Sequence, residues 1–166
     1  MILAIDVYYR SNDAKAVAVL FNWDDAANQQ VIVEIIDDAA EYIPGEFYKR
    51  ELPCILKLLE KIDLNLVDAI IVDGYVYVDN NMQYGLGGKL WEALLEKVPI
   101  IGVAKTSFYR NKETVNELRR GESLNPLYIS SIGIDVNEAT RLVKAMKGNF
   151  RIPDILKNLD QITKQP

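Results

Sequence analysis

The first apolar stretch, ILAIDVYY (2–9), is nearly unbroken, as a strand covered on both faces must be. AKAVAVLFNW (14–23) alternates in part and is rich in β-formers, and QVIVEIID (30–37) follows in the same style. The separators RSND and NWDDAAN carry the Asn, Asp and Ser of turns. Three strands joined by short turns read as an antiparallel meander. The period then changes. ELPCILKLLEKID (51–63) sets Leu52, Ile55, Leu56, Leu58 and Leu59 near helical spacing. VDAIIVDG (67–74) reads as a buried strand ended by Asp-Gly, YGLGGKLWEALLEK (84–97) as a helix after its glycines, and VPIIGVAK (98–105) as another buried strand. Residues 109–125 are charged and irregular, and PLYIS (126–130) is strand-like. Asp135 with Glu138 has the spacing of a capping box opening VNEATRLVKAMK, Gly148 is a plausible stop, and a last helix follows Pro153.

The order β-β-β-α-β-α-β-α predicts an α/β fold: a mixed sheet, meander first and β/α units after, with helices on its faces. No repeat, low-complexity segment or linker divides the chain, so 1–166 reads as one domain, long enough to bury a core. In such sheets functional groups gather at the carboxyl ends of central strands. Asp6 and Asp73 both sit at or near such ends.

Composition narrows the chemistry. Apolar residues make up 49% and charged residues 26%, the profile of a globular protein, and no apolar run approaches a membrane span or a signal peptide. One cysteine, Cys54, excludes an internal disulfide and is compatible with a reducing cytoplasm; it reads as a small buried helix residue. A net charge of −5 argues against nonspecific coating of nucleic acid, although Lys105, Arg110, Lys112, Arg119 and Arg120 thicken late in the chain. There is no histidine. That removes His-based acid/base chemistry, Ser-His-Asp triads and most zinc sites together.

Carboxylates remain. Asp6 interrupts an apolar strand, where an unpaired charge is costly. Asp73 ends a second strand with Gly74 giving close access beside it, and Glu51 stands at the start of the first helix. Each also has an ordinary structural reading, as an Asp-Gly turn or a helix N-terminal acid. If they converge, three carboxylates without histidine suit Mg²⁺, which takes oxygen ligands. The run Gly85-Leu86-Gly87-Gly88-Lys89 fits neither phosphate-loop pattern, though glycines at a helix start can admit a nucleic-acid backbone to the amides. Lys105 at the end of GVAK either neutralises a phosphate or is a solvated strand-end lysine.

In combination the motifs become specific. DVYY, YIPGEFYKRELP (42–53), IIVDG, a Gly-rich helix start, PIIGVAK and PLYIS, in this order, resemble the endonuclease V family from Ile2 to about Pro153, and FRIP (150–153) is similar to that family's tail. The resemblance implies a ribonuclease H-like fold. It implies a cytoplasmic, Mg²⁺-dependent endonuclease of nucleic-acid repair (Mn²⁺ able to substitute) that cuts 3′ to deaminated adenine, inosine, in DNA or RNA. By motif, Asp6, Glu51 and Asp73 match the metal ligands, holding one ion or two, and Lys105 matches the catalytic lysine. Tyr42, Ile43, Pro44 and Gly45 match the strand-separating wedge; Gly45 and Phe47 line the base pocket, and Gly74 and Gly85 complete the substrate-contacting set. Such an enzyme must extrude the lesion base and fill the gap. It implies nucleic acid as partner and no membrane; the sequence leaves the oligomeric state open, with a monomer favoured.

Three departures accompany the match. SSIGID (130–135) stands where the family has a histidine-bearing segment, with Asp135 nearby as either a replacement or a helix cap. Val76 replaces a pocket glycine in the VDGxG pattern, and Asp79-Asn80-Asn81-Met82 replaces an HPRR-like segment. They define the alternative, a catalytically weakened member that binds nucleic acid without efficient cleavage.

Overall fold

The computed structural model describes residues 1–24, 27–44 and 46–166. Strands β1 (Ile2–Tyr9), β2 (Ala14–Phe21) and β3 (Gln30–Ile36) form the expected antiparallel meander. Helix α1 (Phe47–Leu59), β4 (Ala69–Asp73), α2 (Leu86–Ala93) and β5 (Ile100–Ala104) follow, then β6 (Asn116–Leu118), β7 (Leu127–Ile132), α3 (Val136–Ala145) and α4 (Asp154–Lys164). The seven strands lie in the order β3-β2-β1-β4-β5-β7-β6. β4 runs parallel to β1 and β5 parallel to β4.

The meander-first, mixed-sheet expectation holds. Beyond β5 the chain differs from a simple β/α reading. No helix carries it across after β5, so the PLYIS strand returns antiparallel, and the irregular segment contributes β6 as a short edge strand on β7. Three residues are too short for a periodicity to show.

Two apolar layers follow from strand alternation. Leu3, Ile5, Ile70, Val72 and Ile100 face α1 and α2. Ile2, Ala4, Ile71, Ile101 and Val103 face α3 and α4. Buried Lys15 in β2 donates to the carbonyls of Ile162 (2.8 Å) and Gln165 (3.0 Å), meeting the negative end of α4 and fixing that helix across the meander. Arg120, also buried, donates to Met146 O and Phe150 O at 2.6 Å each, tying the end of β6 to the α3–α4 connection. Asp135 caps α3, accepting from Asn137 N–H and Glu138 N–H, while Glu138 pairs with Arg141 rather than closing a capping box.

Candidate active site

The register that pairs Ile5 with Val72 makes the next residue on each of these neighbouring strands an aspartate. Asp6 continues the Ile2, Ala4 face and Asp73 the Ala69, Ile71 face, so both belong to the α4 side of the sheet. Lys105 continues the Ile101, Val103 face and brings its ammonium to 3.9 Å from Asp73 Oδ2, both side chains about half exposed. Asp160 of α4 lines the same cleft with Asp6, Asp73 and Lys105. It was not visible as a candidate in the sequence, where it is one polar position on an amphipathic helix. Arg151 of FRIP donates to Lys105 O and, at 2.8 Å, to Pro126 O, which holds the end of β5 in place.

Glu51 approaches from the opposite side of the sheet. Helix α1 begins at Phe47, so Glu51 lies in its second turn, not at its start, on the face that buries Cys54, Ile55 and Leu58. It is only 6% exposed. A second cleft, lined by Asp6, Tyr9, Tyr42, Phe47, Arg50, Glu51 and Asp73, joins it to the two aspartates, Asp73 at the end of β4 and Asp6 within β1. Arg50 stacks on the Tyr9 ring, 3.4 Å from guanidinium carbon to ring centre. The Tyr9 hydroxyl is buried beside Glu51 without a hydrogen bond of good geometry.

Crowded acids in a partly dry site resist ionisation. Burial first, then the neighbouring Asp73, pushes the Asp6 carboxyl up to about 6, against the 3.0 Å hydrogen bond it accepts from Val7 N–H. Burial, with Asp6 and Asp73 adding to it, pushes Glu51 up to about 8. Asp73 is also raised, chiefly because its carboxyl sits back among protein atoms even though half its side chain meets solvent; Lys105 opposes this and Asp160 reinforces it.

A third cleft beside Asp73 is lined by Phe47, Tyr48, Tyr75, Thr106 and Phe108 together with Gly74, Gly85 and Leu86. Tyr42, Ile43 and Pro44 stand exposed above α1, and Glu46 N–H closes a turn on Ile43 O at 3.0 Å. Gly45 lies outside the described residues. Val76 is fully buried and packs on α2: a Cβ at Gly87 would meet its Cγ2 at 2.8 Å. It does not line the third cleft. Gly87 and Gly88 likewise serve close packing inside α2 rather than a phosphate cradle.

Gly102 of β5 is the pinch point beneath this cleft. A Cβ there would lie 2.6 Å from Gly74 O and from Ser130 Oγ, the atom that accepts Val76 N–H at 3.0 Å. Gly102→Ala is expected to lower stability by about 1–3 kcal/mol. Thermal melting with Gly102→Ala against wild type checks it, and an unchanged midpoint sinks the packing argument.

Among the described residues, no group of three or more Asp, Glu or Cys side chains is arranged to hold a metal ion as it stands. The donor chemistry nonetheless fits a hard divalent cation: oxygen ligands only, with mutual repulsion that a cation would relieve.

The endonuclease V family model matches residues 1–123. Endonuclease V of Sulfolobus acidocaldarius is 28% identical over 171 residues, covering 97% of this chain and 80% of that protein. That of Pyrococcus abyssi is 29% identical over 166 residues, covering 98% and 78%. The crystal structure of Ciona intestinalis endonuclease V in complex with a 24mer DNA containing an inosine followed by a ribo-adenosine matches this fold with a TM-score of 0.76 at 17% identity, covering 98% of this chain and 84% of that one.

Proposed function

This chain belongs to the endonuclease V family, and from that premise we propose that it is a divalent-metal-dependent endonuclease that cuts the strand 3′ to inosine in DNA or RNA, in nucleic-acid repair. The observation that carries the reading is the carboxylate cluster. Asp73 ends β4, Asp6 stands on neighbouring β1 just past the last β1–β4 pair, Asp160 faces them from α4, and buried Glu51 lines a second cleft with both aspartates. Asp6, Glu51 and Asp73 would hold Mg²⁺, or Mn²⁺ in its place, with Asp160 added to the set read from sequence. When bound, such an ion supplies Lewis acidity at the phosphate and acidifies a water molecule.

The chain's own groups do the rest. Lys105, beside Asp73 and unburied, neutralises a phosphate oxygen at the strand being cut. Tyr42, Ile43 and Pro44 present apolar surface where a duplex must open, and the cleft between Phe47 and Phe108 is the place for the extruded base. Gly74 and Gly85 border the same cleft. The protein acts in the cytoplasm, folded as one domain.

The absence of histidine favours one other reading, a member that binds inosine-containing strands and turns over poorly. Incubation of a single-inosine oligonucleotide with Mg²⁺ or Mn²⁺ separates the two. Cleavage one phosphodiester beyond the inosine, lost with chelator and in Asp73→Ala, is the expected result. Binding without cleavage in either metal selects the weakened reading; cleavage that survives Asp73→Ala rejects this site.

A further inference from the structure

The loop that follows Lys105 carries a feature that cleavage does not use. Tyr75, Phe108 and Tyr109 form a row of rings, with centroids 6.3 Å and then 5.4 Å apart. Arg110 closes the row: its Nε–H donates to Tyr109 Oη at 2.8 Å, and its guanidinium carbon lies 5.4 Å from the Tyr109 ring centre. Tyr109 is 69% exposed and, beside the Phe108 ring and Arg110, leaves most of its own ring to solvent. Arg110 has no carboxylate partner among the described residues, and Lys105 and Lys112 are exposed on the same loop.

The display is also anchored. Asn111 is fully buried beneath the turn; its side-chain amide donates to Tyr77 O at 2.9 Å and its N–H to Phe108 O at 3.3 Å. A held aromatic face flanked by a cation that has no carboxylate partner among the described residues, and continuous with Phe108 of the cleft, has the chemistry of a stacking platform for an unpaired base.

We propose that Tyr109 and Arg110 form a nucleotide subsite outside the base cleft, in which Tyr109 stacks on the unpaired nucleotide next to the inosine and Arg110 contacts that nucleotide's phosphate. The inference rests on the nucleic-acid reading above and adds a single-strand grip to it. Stacking ties affinity to an unpaired neighbour. The phosphate contact gives one unit of salt-dependent binding.

The probe is a single-stranded inosine oligonucleotide with 2-aminopurine on one or the other side of the inosine, bound in Ca²⁺ buffer and followed by anisotropy and 2-aminopurine fluorescence. Wild type and Tyr109→Phe are expected to quench 2-aminopurine at one of the two positions. Tyr109→Ala is expected to lose that quench and bind about tenfold more weakly. Arg110→Ala is expected to flatten the slope of log affinity against log salt by about 0.7. If wild type binds but Tyr109→Ala binds equally and keeps the quench, the subsite is overturned while the nuclease reading stands. If wild type binds no inosine strand at all, both fall.

Discussion

Replacing Asp6 with asparagine is expected to lower the single-turnover cleavage rate by at least about 10³-fold while making the metal-free protein more stable. Asp6 alone among the acids lines both clefts with Asp73, one shared with Asp160 and the other with Glu51. Removing its charge strips one of the two acids common to both clefts from any cation site built on them. A cation's contribution to a phosphoryl transition state is worth several kcal/mol, and about 4 kcal/mol corresponds to three orders of magnitude in rate.

The opposite sign for stability follows from the same geometry. Asn keeps the oxygen that accepts Val7 N–H. It cannot ionise, so the repulsion of Asp6 against Asp73 and Glu51 disappears. A carboxyl raised from its ordinary value to about 6 is worth at most about 3 kcal/mol at pH 8. Rapid-quench cleavage and chemical denaturation in chelator, on the same preparation, read both signs. A variant equally slow but less stable than wild type would make Asp6 a structural residue and remove it from the site.

How far the sequence discloses this site depends on the residue. Asp6 and Asp73 are legible because each breaks a run of strand residues that otherwise face the interior, and a charge in such a place needs a reason. Glu51 is legible by motif but misplaced by pattern: α1 starts four residues before it, since Phe47 to Arg50 already follow helical geometry despite the nearby Pro44 and Pro53. Asp160 leaves no signal. Its helix turns Ile155, Leu159 and Thr163 toward the core, and every acid on such a helix looks solvated until the crossing over β1 and β2 is known. Val76 shows the converse. A motif comparison makes it a pocket residue, whereas packing against Gly87 turns its side chain into the core and away from the third cleft. The meander was readable because turns are local; β6 and the antiparallel return of β7 depend on how a charged, aperiodic segment closes over Arg120, which no local pattern encodes.

The largest effect of solution conditions is expected in the metal-free protein, whose stability should fall as pH rises from about 4 to about 8. Asp6 and Glu51 both titrate higher in the folded state, to about 6 and about 8, than carboxyls do in an unfolded chain. The folded protein therefore binds more protons than the unfolded one across that window. Their stabilisation is fully present below the unfolded values and is lost as pH passes the folded ones. Glu51, buried on α1, should dominate, with a loss of a few kcal/mol, which for a chain of this size lowers the melting temperature by about 10 °C. Glu51→Gln should flatten the profile, because the amide does not titrate. Added Mg²⁺ should restore stability most at the alkaline end, where the ligands are ionised, by about 2.7 kcal/mol once the ion exceeds its dissociation constant a hundredfold. Melting curves in chelator and in Mg²⁺ across that pH range test the linkage. A metal-free profile that rises between pH 4 and 8, or a Mg²⁺ effect that Glu51→Gln leaves intact, would detach the buried glutamate from the cation and leave its burial without a chemical purpose.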